Sequence, residues 1–157
     1  AVASLSLSEN SLITDPKKRF QSNLGFINFD KLTNYTESVI ENFNVKTTTA
    51  QAIASSLSGG NLQKFVVGRE IGQKPSLLVV NQPTWGVDAL SAANIRQAIV
   101  EIANTGAAII LISQDLDELL EISTKVAFLT NGSLSVPTNT TDIKTDEIGA
   151  IMGGVSD

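Results

Sequence analysis

Apolar positions along the chain change period several times, and each change marks an element. Leu and Ile recur in a serine-rich background from Ala1 to about Asp15, which predicts a short helix near Ser8 to Leu12. Pro16, Lys17, Lys18 and Arg19 read as an exposed, solvated connection. From Asp30 to Phe43, the residues Leu32, Tyr35, Val39 and Phe43 fall on one helical face, with Asp30 as the candidate cap. Thr47-Thr48-Thr49 offers a further cap, for a short turn of helix over Ala50 to Ala54. Behind Ser58-Gly59-Gly60, the residues Leu62, Phe65, Val66 and Ile71 give one buried helical face, with Lys64, Arg69 and Glu70 on others. Pro75 ends this helix.

The period then shortens. Leu77 to Val80 is an unalternating apolar run, the pattern of a strand buried on both faces of a parallel sheet. A helix follows from about Ser91 to Asn104, burying Ile95, Ala98, Ile99 and Ile102, with Gly106 as a left-handed cap. Ala107 to Ile112 is a second buried strand, and Leu116 to Ile122 a second helix. Strand, helix, strand, helix in this rhythm predicts βαβ crossovers in an α/β layer fold. Val126 to Leu129 and Leu134 to Val136 flank Asn131-Gly132, which predicts an antiparallel hairpin. A last short helix is expected over Asp146 to Met152, stopping at Gly153-Gly154.

Composition narrows the chemistry. The 157 residues contain no cysteine and no histidine, which removes disulfides, thiol nucleophiles, imidazole bases and the usual zinc ligands. A net charge of −5 disfavours nucleic acid as a partner. No apolar run approaches the roughly 20 residues that cross a bilayer. The chain does not begin with methionine, which suggests that it has been cut or processed. Sequons at Asn34, Asn131 and Asn139 carry no meaning without secretion.

Two places could hold a ligand. Ser58, Gly59 and Gly60 stand directly before a helix, so free backbone N–H groups lie beside an uncluttered turn, an arrangement suited to an anion. At the carboxyl end of the first strand, Asn81 and Gln82 precede a loop running from Pro83 through Trp85, Gly86 and Val87 to Asp88, where ligands of open parallel sheets bind. Trp85 is expected to pack beneath this loop, with stacking on a partner as the alternative. Asp115, Asp117, Glu118 and Glu121 are accounted for by the dipole of the helix they begin and need no metal. No metal ligand is assigned.

Leu57-Ser58-Gly59-Gly60-Asn61 resembles the signature motif of the ATP-binding-cassette ATPases. Leu77 to Val80 with Asn81-Gln82-Pro83-Thr84 looks like their Walker B motif, Gly86-Val87-Asp88 is similar to their D-loop, and Ile112-Ser113-Gln114-Asp115 stands where their switch-histidine loop would be. The wording from Pro83 to Asp88 is most similar to the second cassette of the fused ATPases of bacterial simple-sugar and nucleoside importers. No Gly-x-x-x-x-Gly-Lys-Ser/Thr occurs in the chain, so the resemblance implies a fragment without the Walker A loop. It implies a helical signature subdomain over residues 1–74. Residues 75–157 would be the C-terminal half of a P-loop NTPase core, with a mostly parallel sheet and the terminal antiparallel hairpin.

The departures from the family pattern point one way. Asn81 stands where the family has the aspartate of the magnesium shell, Gln82 where it has the catalytic glutamate, and Gln114 where it has the histidine. A neutral amide neither balances Mg²⁺ charge as a carboxylate does nor accepts a proton as a general base. The resemblance therefore implies that Gln82 and Gln114 occupy degenerate catalytic positions and that the chain is not active alone. It also implies that Ser58, Gly59 and Gly60, with Asn61 and Gln63 alongside, contact the γ-phosphate of ATP held by the opposite cassette, and that Asp88 bridges the dimer seam. ATP and Mg²⁺ would bind in the complete dimer, beside membrane permease subunits at the inner face of the cell membrane, with neither expected to bind this fragment tightly. A non-catalytic interaction domain and a soluble cassette ATPase are the alternatives. A lobe lacking its first strands should leave apolar sheet surface uncovered, so self-association is expected.

Overall fold

The computed structural model describes residues 1–15, 19–22 and 24–143, which gather into two compact units, the first ending at Ile112 and the second beginning at Ser113. The expected helix over Asp146 to Met152, together with Lys17 and Lys18, lies outside the described residues.

The first unit opens with α1 (Leu7–Ile13). Ser6 caps it through a capping box: its hydroxyl accepts from the Glu9 amide at 3.1 Å, and the Glu9 carboxylate accepts from the Ser6 amide at 2.8 Å. Next comes α2 (Phe29–Asn42), whose cap is Asn28 rather than Asp30; the Asn28 side chain accepts from the Lys31 amide at 2.9 Å, which places Asp30 in the first turn. Arg19 is not solvated either. It pairs with Asp15 at 3.0 Å, and its guanidinium lies over the rings of Phe20 and Tyr35.

The expected helical turn over Ala50 to Ala54 does not form. Its backbone groups are used across the chain instead: Ala50 and Ala52 carbonyls accept from Ser8 and Leu7, and the Ala54 amide donates to the Leu5 carbonyl. A single 3₁₀ turn over Ala54–Ser56 follows and leads into α3 (Gly59–Gly72). Leu7, Val39, Val45, Ala54 and Phe65 form the core of this helical part, with Tyr35, Phe43 and Leu62 packed against them.

Lys64 and Arg69, which the sequence puts on faces other than the apolar one, are nevertheless buried. Each has an acidic partner, Asp88 for Lys64 and Glu70 for Arg69, and Arg69 also donates to the Asn10 carbonyl at 2.9 Å. Pairing of this kind is what burial of a cation demands. Gly68 is accounted for by close packing, because a Cβ there would lie 2.4 Å from the Phe43 ring.

Strands β1 (Leu77–Asn81) and β2 (Ala108–Ile112) pair in parallel, Leu77 opposite Ala108 and Asn81 opposite Ile112. Between them runs α4 (Ala89–Asn104), which buries Ile95, Ile99 and Ile102 and closes on Gly106 with φ +96°. The strands are not buried on both faces. Leu78 and Val80 point inward, whereas Leu77, Val79, Ile110 and Ile112 are 50–57% exposed, because among the described residues no element covers that side.

The second unit contains α5 (Leu116–Ile122), capped by Asp115, and the short strands β3 (Lys125–Val126), β4 (Leu129–Thr130), β5 (Ser133–Leu134) and β6 (Thr138–Asn139). The hairpin predicted around Asn131-Gly132 is the β4–β5 pair, and both turn residues have positive φ, as a two-residue turn of this kind requires. β3 pairs with β6, also antiparallel.

Candidate functional site at the start of helix α3

Ser58 precedes α3 in extended conformation, and the first helical bond, Leu62 amide to Ser58 carbonyl, is 2.9 Å. No side-chain cap forms on this helix, in contrast to α1, α2, α4 and α5. The Ser58 hydroxyl instead accepts from the Asn61 amide nitrogen at 2.9 Å, and Asn61 Oδ1 accepts from the Lys46 backbone at 2.8 Å. Asn61 is thus engaged in holding the turn. Gly59 is exposed with nothing within 4 Å of where a Cβ would stand, so the helix start is accessible.

Gly60 serves a different purpose. A Cβ on it would lie 2.5 Å from the Gly86 carbonyl oxygen, so the helix and the loop after β1 approach more closely than any side chain allows. Gln63, one turn on, donates from Nε2 to the carbonyls of Gln82 at 3.1 Å and Pro83 at 3.2 Å. Lys64 Nζ reaches Asp88 Oδ2 at 3.2 Å. Residues 60, 63 and 64 are neighbours on one face of the helix.

The loop itself is tightly specified. Gln82 has φ +50°, a left-handed conformation unusual for a residue with a side chain, and its amide donates to the Ile112 carbonyl at 2.8 Å. Its carbonyl receives the Trp85 amide as well as Gln63. Trp85 does not pack beneath the loop. It is 73% exposed, while Pro83 takes the buried position. Asp88 caps α4 through the Ser91 amide and hydroxyl, and these bonds, with Lys64, hold its carboxyl well below the usual carboxylate range.

Of the residues singled out in the sequence, the structure therefore brings Ser58, Gly59, Gly60, Asn61 and Gln63 together with Gln82 and Asp88. Asn81 ends β1, exposed. Gln114 is exposed in the turn before α5 and belongs to the second unit. Lys64 was missed because a lysine in a helix is ordinarily solvated; its position one turn beyond Gly60, beside Gln63, was the available signal. Among the described residues there is no cluster of three or more acidic groups that could hold a metal ion, and no helix long and apolar enough to cross a membrane.

No family model matches the chain. Its sequence is 36% identical over 156 residues to a glucose import ATP-binding protein of Haloferax volcanii, covering 98% of this chain and 28% of that protein. It is 32% identical over 153 residues to a nucleoside import ATP-binding protein of Lactococcus lactis, covering 98% of this chain and 30% of that protein. The fold matches a dimeric ATP-binding cassette solved in a post-hydrolysis state with ADP and Pi, with a TM-score of 0.74 at 18% identity, over 88% of this chain and 58% of that one. The chain belongs to the ATP-binding-cassette family. It stands alongside the ATP-binding proteins of sugar and nucleoside import, and spans less than a third of the length of these relatives.

Proposed function

We propose that the chain is part of the ATP-binding subunit of a sugar or nucleoside importer, and that its signature turn completes an ATP site held mainly by the opposite cassette. The observation that carries this reading is the uncapped start of α3 with an open Gly59. Backbone N–H groups of a helix start, with no side chain competing for them, suit a phosphate oxygen. Ser58, Gly59 and Gly60 would hold the γ-phosphate, Asn61 would fix the turn, and Gln63 would tie it to the loop whose Asp88 lies toward the seam. ATP supplies the phosphoanhydride bond that is broken.

The chain's own strand end is a poor site by its donor set. Asn81 and Gln82 bring neutral amides where Mg²⁺ favours carboxylate oxygen, and Gln82 and Gln114 can orient water but cannot take its proton. The residues present do not fit a magnesium ion there. Cytoplasmic placement against permease subunits at the membrane's inner face follows from the same reading, because the relatives are named as import ATP-binding proteins.

Ser58→Arg in the full-length protein tests the proposal. Steady-state ATPase activity is expected to fall at least about a hundredfold, the scale of losing a preorganised donor around a reacting group. Gln82→Glu should be unnecessary for activity. Normal turnover in Ser58→Arg would defeat the reading.

A further inference from the structure

We infer that Lys64 is a positioning residue that makes the Gln82–Asp88 loop move with the start of α3, by bridging the end of α2, the α3 helix and the cap of α4. The Lys64 side chain is only 6% exposed, and its ammonium has two partners on different elements: the Asp88 carboxylate at 3.2 Å and the Asn44 carbonyl, just past α2, at 3.3 Å. The Asn44 carbonyl lies just beyond the end of a helix, where a cation is favoured. Asp88 is the N-cap of α4 and is 61% exposed, so the pair joins a buried cation to an anion at the surface.

Two further contacts make the joint stiff on either side of Lys64. Gly60 seats against the Gly86 carbonyl, and Gln63 spends its amide on the carbonyls of Gln82 and Pro83. Gln82 is held in left-handed backbone while bearing a side chain, a conformation that persists only where its surroundings impose it. Lys64 closes the far end of this loop through its ion pair with Asp88. Both Asp88 carboxylate oxygens are already engaged within the chain, Oδ1 by the Ser91 amide and Oδ2 by the Ser91 hydroxyl and Lys64. Asp88 therefore works first as an internal staple, and any reach across a dimer seam is set by where Lys64 holds it. That consequence for a partner rests on the function proposed above; the joint itself does not.

Hydrogen–deuterium exchange on the full-length protein without nucleotide reads the joint directly. Lys64→Met, which keeps volume and removes the charge, is expected to speed exchange of the Trp85 and Val87 amides about tenfold, the scale of losing one charge-assisted hydrogen bond. Lys64→Arg should restore most of the protection, and the amides of α1 should not change. Asp88→Asn retains a capping side chain while severing the ion pair, and should reproduce the local effect if Lys64→Met folds poorly. Unchanged loop exchange in a folded Lys64→Met or in Asp88→Asn overturns the inference, as does an equal rise throughout residues 1–112. If the loop responds as expected while Ser58→Arg leaves ATPase activity intact, the positioning role stands and the donor function falls.

Discussion

Adjacent glycines of one motif have opposite requirements, and substitution separates them. Gly60→Ala forces a Cβ against a backbone carbonyl that cannot swing away, so the thermal midpoint should drop, by the roughly 1–3 kcal/mol that overpacking costs. Gly59→Ala meets open space at a φ any residue adopts, so stability should hold or rise slightly while ATPase activity of the full-length protein falls. Equal melting of the two variants would contradict the packing described. Asp88 gives a pH signature. The Ser91 hydroxyl and amide, and then Lys64, lower its pKa, and a depressed folded pKa contributes stability that is present above the unfolded value and lost as pH falls toward the folded one. Unfolding followed by circular dichroism should therefore show wild type losing, below about pH 4, a stability increment that Asp88→Asn does not lose. Parallel curves would show that the carboxylate contributes nothing.

Elements differed in how far the sequence revealed them. α4, α5 and the β4–β5 hairpin were legible because the determinants are local: a helical row of Ile95, Ile99 and Ile102, a capping aspartate, and Asn131-Gly132 at positive φ. The segment from Ala50 to Ala54 was misread because its backbone is satisfied by residues some forty-five positions earlier, which no local signal announces. The paired burial of Lys64 and Arg69 was hidden for the same reason, since each needs a partner or carbonyl from another element. The turn before α3 was visible as Ser-Gly-Gly, but the division of labour within it was not: only the fold distinguishes the open Gly59 from the packed Gly60. The capping box on α1 could have been read from Ser6 and Glu9. Ser6→Ala should lower stability by about 1 kcal/mol, read as a shift of the denaturation midpoint at constant slope. No shift would mean that the cap is replaced by water without loss.

At the scale of the whole molecule, one side of the β1–β2 pair leaves Leu77, Val79, Ile110 and Ile112 exposed. Contiguous apolar surface of this kind associates in water. The 157-residue chain is expected to self-associate at high concentration, and Val79→Lys with Ile110→Glu should return it to a monomer by light scattering; a monomeric wild type would contradict the expectation. By the function proposed above, the start of α3 serves a nucleotide held elsewhere. This role is tested most directly by cross-linking a photoreactive γ-phosphate analogue of ATP to the full-length protein and mapping the labelled peptide. Label is expected on Ser58 to Gln63 and should disappear when the opposite cassette's phosphate-binding loop is disabled. Label on that peptide that survives the loss of that loop would contradict it.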